Sequence, residues 1–114
     1  MTFRTDQTGT IVTTLLSNFG GLTLKATCGA GNDIELIAST PWLGSYIESS
    51  IGAKDADFGP DENHDVMSMS DDNVVGTLVY HRGPNVFGQT VTVHWHAFEN
   101  VSYDCVVFGI ATQE

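Results

Sequence analysis

Along most of this chain, apolar and polar residues alternate with a period of two. In the run 22–28, LTLKATC, Leu22, Leu24, Ala26 and Cys28 share one face, and Thr23, Lys25 and Thr27 share the other. That is the pattern of a strand buried on one side. The run 89–98, QTVTVHWHAF, is the strongest strand in the chain. It places Val91, Val93, Trp95 and Ala97 on an apolar face and Thr90, Thr92, His94 and His96 on a polar one. Further strands are predicted at 10–17 (TIVTTLLS), 33–39 (DIELIAS), 74–81 (VVGTLVYH) and 101–112, all rich in β-branched or apolar residues. Gly20-Gly21 and Gly29-Ala30-Gly31-Asn32 supply turns, and the short Glu99-Asn100 link makes the last two strands a hairpin.

Two stretches break the pattern. Residues 40–51 open with Thr40-Pro41, which suits a helix start, and Trp42, Leu43, Tyr46, Ile47 and Ile51 recur at helical spacing. Ile47, Ser49 and Ile51 also alternate, and the β surroundings favour a strand. Residues 53–73, AKDADFGPDENHDVMSMSDDN, form a long acidic connection, expected to be exposed and to hold no more than one turn or a short strand. Together these features predict an all-β chain: one domain over 1–114, a small β-sandwich or jelly-roll-like fold of about seven strands.

Composition narrows the function. The chain has 14 acidic residues against four basic ones, Arg4, Lys25, Lys54 and Arg82, for a net charge of -10. Nucleic acid and anionic membrane surfaces are therefore poor partners, since both need clustered cations. No run approaches the ~18 apolar residues of a membrane-spanning helix. Cys28 and Cys105 both lie in strand-like runs. A disulfide between them is expected, and with it an oxidising compartment; two buried thiols are the alternative. MTFRTDQTGT holds no apolar secretion signal, so the expected location is extracellular or cell-surface with a leader removed, or a virion.

Several residues could carry chemistry. His94 and His96, two apart on one strand face, with His81 at the end of the neighbouring strand, could converge on zinc; otherwise they are solvated histidines on an outer sheet face. Asp55, Asp57, Asp61 and Asp65 could offer oxygen ligands to calcium. The stretch starts like an EF-hand loop and then departs from it, with Gly59 fifth, Asn63 ninth and Val66 twelfth. Cys105 has no basic neighbour to make it a nucleophile, and no nucleophile elbow, phosphate loop or dinucleotide fingerprint occurs. Asn100-Val101-Ser102 matches the glycosylation sequon. Among the aromatics, Phe58 and Phe87 lie in glycine-containing stretches and are candidate partner contacts.

Three segments, GGLTLKATCGAGN, GTLVYHRGPNVFGQTVTVHW and DCVVFGIAT, together resemble a group of uncharacterised actinobacterial β-domains that are typically exported. The resemblance covers about half the chain, at its start and end, and rests on β-core and cysteine positions. It implies export and carries over no catalytic residues. The expectation is a non-enzymatic extracytoplasmic module with no cofactor, acting by binding a protein or surface partner or by self-association. A phage or particle surface protein is the nearest alternative. A metal-binding protein or metal-dependent enzyme built on His81, His94 and His96 is the alternative from another class.

Overall fold

A computed structural model describes residues 1–7, 11–28, 34–51, 54–69, 73–83, 89–99 and 105–114. Ten strands account for most of them: β1 (Thr2–Gln7), β2 (Ile11–Phe19), β3 (Leu22–Cys28), β4 (Ile34–Ser39), β5 (Ser45–Ser49), β6 (Lys54–Phe58), β7 (His64–Met69), β8 (Asn73–His81), β9 (Thr90–Glu99) and β10 (Cys105–Gln113). They form two antiparallel sheets, one of six strands in the order β1-β10-β9-β8-β5-β6 and one of four in the order β2-β3-β4-β7. The chain is all-β, and the sheets pack as a small sandwich around one apolar core. The crossovers interlock: β4 pairs β7 in one sheet, while their successors β5 and β8 pair in the other.

The period-two faces point where the sequence predicts. Leu22, Leu24, Ala26 and Cys28 of β3 are buried, as are Val91, Val93, Trp95 and Ala97 of β9. Trp95 lies in register with Gly76 on β8 and Gly109 on β10. A Cβ at Gly76 would stand 2.2 Å from Trp95 Cζ2, so this glycine makes room for the indole.

Cys28 and Cys105 are disulfide-bonded, with Cα atoms 5.9 Å apart and a sequence separation of 77. The bond joins the end of β3 to the start of β10, and so ties sheet to sheet. Closing a loop over that sequence separation stabilises by about 4–5 kcal/mol on the chain-entropy account. At the opposite end of the strands the sheets are joined by hydroxyls. Thr40 Oγ1, beyond β4, bonds Tyr80 OH of β8 at 2.5 Å, and Ser45 Oγ of β5 lies 3.2 Å from the same phenol.

Three strands depart from the sequence reading. Within the acidic stretch, residues 54–58 and 64–69 form the short strands β6 and β7 at the edges of different sheets, and residues 53 and 70–72 lie outside the described residues. Phe58, Val66 and Met67 anchor them in the core. Their polarity hides them because an edge strand keeps much of its surface in water and gains from charges that discourage edge-to-edge pairing. The short N-terminal strand β1 follows the same logic, with Phe3 and Thr5 buried and Arg4 exposed. With these three the described residues form ten strands, where the sequence suggested about seven. Residues 40–51 form no helix. Trp42 N–H donates to Thr40 Oγ1 at 3.2 Å, as at a helix start, but Gly44 at φ 70° turns the chain into β5.

Candidate contact face

The outer face of the six-stranded sheet follows from pairing register. Residues directly opposite one another on paired strands point to the same side. One row across the sheet reads Arg4, Phe108, His96, Val75, and the next reads Thr2, Ile110, His94, Thr77. Val79 and Thr92 lie beyond them, then His81 and Thr90. On the other flank Val106 pairs Phe98, which pairs Asn73.

This face is unusually apolar for a surface in water. Val75 is 69% exposed and Ile110 42% exposed, and between them lies an aromatic group. The His96 ring centroid is 5.1 Å from those of both Phe98 and Phe108, and the two phenylalanines sit edge-on at 6.2 Å. The Arg4 guanidinium lies over Phe108 at 5.8 Å from the ring centroid, within cation–π range. Val106 is buried yet lies outside the inter-sheet core, on the Phe98 flank of this outer cluster. An open depression of about 330 Å³ runs between Val75, His94, His96, Phe108 and Ile110. Scattered exposed apolar residues are ordinary; a contiguous group rimmed by polar residues marks a contact site.

Charge singles out the same face. In a chain with 14 acidic residues, β8, β9 and β10 contain one carboxylate, Glu99, the last residue of β9. Glu48 on β5 lies beyond the patch, where Tyr46 OH donates a hydrogen bond to its Oε2. That bond, followed by burial and the Glu48 charge, raises the Tyr46 pKa above the ordinary phenol value.

The candidate zinc ligands do share this outer face, but they do not meet. His94 pairs Thr77, and His81 lies four residues further along β8, roughly 13 Å away at ~3.4 Å per residue. Each imidazole is instead bonded to a neighbouring strand: His81 Nδ1 to Thr90 Oγ1 at 2.9 Å, His94 Nδ1 to Thr77 Oγ1 at 3.3 Å, and His96 Nε2 to Asn73 Oδ1. The three histidines are thus not gathered at one point of the face. Among the described residues no cluster of three or more His, Cys, Asp or Glu could hold a metal ion.

The calcium set is also separated. Asp55 and Asp57 lie on β6 and Asp65 on β7, in different sheets, with Asp61 in the turn between them. Asp55 Oδ1 accepts from Asp57 N–H at 2.9 Å within β6, and Glu62 Oε2 accepts from Gly59 N–H at 3.0 Å across the turn that follows, so both oxygens are bonded to local backbone.

Phe58 is not a partner contact. It is fully buried and stacks edge-on with Tyr80 at 6.3 Å and with His64 at 6.0 Å. Phe87 and the sequon at 100–102 lie outside the described residues. The aromatic that does reach solvent in a turn is Trp42, with the Arg82 guanidinium stacked on its ring at 3.9 Å. The nearby Ser45 hydroxyl donates to Trp42 O at 2.8 Å and accepts from Gly83 N–H at 3.0 Å, so it braces the turn.

The face residues that the sequence reading passed over are Val75, Phe98, Phe108 and Ile110. VVGTLVYH and DCVVFGIAT are apolar on both parities, and that double-sided character was the available clue. No protein-family model, curated protein or solved structure matches the chain.

Proposed function

We propose that this domain is a non-enzymatic binding or assembly module and that the outer face of the six-stranded sheet is its contact surface. The observation that carries the reading is the continuous patch of Val75, Ile110, Phe98, Phe108 and His96, left in water on a chain of net charge -10. Leaving that patch uncovered gives up ~25 cal/mol for each Å² of apolar surface that a partner would hide. The disulfide suits work outside the reducing cytosol, at a cell surface, in the medium or on a particle. Among the described residues no helix is long and apolar enough to cross a membrane.

The test is site-specific photo-crosslinking in the cells or particles that make the protein. A benzophenone side chain replaces Val75 in one variant and Lys25, on the opposite sheet, in another. Discrete crosslinked products from position 75 alone support the reading. Identical products from both positions, or none from position 75, refute it.

A further inference from the structure

The contact face fits a second copy of the same chain, and we infer that the protein forms a weak face-to-face dimer through the outer surfaces of two six-stranded sheets. This deepens the reading above and rests on it.

Charge is the first reason. Two copies of a chain with net charge -10 repel across most of their surfaces. The acidic residues of β4 to β7, Glu35, Glu48, Asp55, Asp57, Asp61, Glu62 and Asp65, keep other approaches unfavourable. The patch on β8, β9 and β10 is where two copies can meet without opposing carboxylates, because Glu99 lies at the far end of β9. At the lateral edges, β1 carries both Arg4 and Asp6 and so no net charge, whereas β5 and β6 carry Glu48, Asp55 and Asp57 with Lys54. A two-fold axis running along the strands lays each copy's β1 edge over its partner's β5–β6 edge, an isologous contact that closes at two copies.

Area is the second reason. Four strands at ~4.8 Å spacing, about eight residues long, project roughly 19 by 27 Å, or about 500 Å² per copy before side-chain relief is counted. Specific interfaces take about 800 Å² per partner. Two such faces hide about 1,000 Å² in total, the lower bound for a biological contact and short of a standard specific interface, so the dimer is weak. Stacked sheet faces settle about 10 Å apart, a spacing that side chains such as Val75, Phe108 and Ile110 can fill.

Sedimentation analysis of the purified, disulfide-intact protein over roughly 5–500 μM tests the inference. The wild-type mass should rise from 12.3 kDa towards twice that value. Val75→Glu and Val75→Lys should both remain monomeric throughout. Lysine relieves general acidic repulsion, so its failure to restore association identifies a local contact. Ile110→Thr, which adds no charge, should weaken the dimer about tenfold through lost apolar burial. Lys25→Glu on the opposite sheet should dimerise like wild type, although it changes the net charge by more than Val75→Glu does. Thermal melts check that each variant is folded. A wild-type protein that stays monomeric at ~500 μM overturns the dimer, as does a Lys25→Glu protein that dissociates as much as Val75→Glu. If crosslinking at position 75 still captures a different protein, the contact-face reading stands and the second copy alone is rejected.

Discussion

The two outer faces of the sandwich are built from the same kind of strand and end with opposite surfaces. On the four-stranded sheet, Thr14 pairs Lys25, which pairs Ile37, which pairs Asp65; Val12 pairs Thr27, which pairs Glu35. Val12 and Ile37 there stand apart among hydroxyls and charges. On the six-stranded sheet the corresponding rows run through Phe108, His96 and Val75 and through Ile110 and His94. Both sheets turn an apolar inner face to the same core, so core formation does not account for the difference. A sheet that only has to stay soluble can follow the first pattern; the second leaves apolar surface that a contact can use.

The largest expected effect comes from separating the sheets. Replacing Cys28 and Cys105 by serine should cost on the order of 4 kcal/mol in denaturant unfolding, because the bridge closes a 77-residue separation. A thiol titration of the native protein should find no free sulfhydryl. Next comes the inner face beneath the patch. Gly76→Ala drives a methyl group into the Trp95 ring and should destabilise by about 1–3 kcal/mol, read as a lower urea midpoint. The outer faces should respond far less in stability: Val75→Thr and Lys25→Thr should each change unfolding free energy by less than about 0.5 kcal/mol. Of these two, Val75→Thr alone should weaken self-association.

The smallest effect lies at the rim. Glu48→Gln should bring the Tyr46 phenol down towards its ordinary titration range, followed by phenolate absorbance, since the Glu48 hydrogen bond and charge hold it up. The sign follows from linkage. A raised folded-state pKa contributes stability that is present below the unfolded phenol range and is lost as pH rises through the folded value. Glu48→Gln should flatten that alkaline loss.

Much of the architecture was legible because burial enforces a period of two. β3 and β9 declare themselves through Leu22, Leu24, Ala26 and through Val91, Val93, Trp95. β6 and β7 did not, because an edge strand is anchored by one or two side chains, here Phe58 in one and Val66 with Met67 in the other. Polar residues around such anchors read as a loop. The site was less legible still. His94 and His96 drew attention because their side chains can bind metal, and register then spread the three histidines along the sheet. The patch is a property of neighbouring strands: Val75, Phe108 and Ile110 come from distant parts of the chain, and only the β8-β9-β10 pairing places them side by side.

The most direct measurement is a concentration series of backbone amide spectra on ¹⁵N-labelled protein, from about 10 μM to about 500 μM. The shifts should move at residues 75, 77, 94, 96, 108 and 110, and stay fixed at 23, 25, 27, 35 and 37. Shifts confined to the four-stranded sheet, or spread evenly over both, would contradict a contact surface on the six-stranded face.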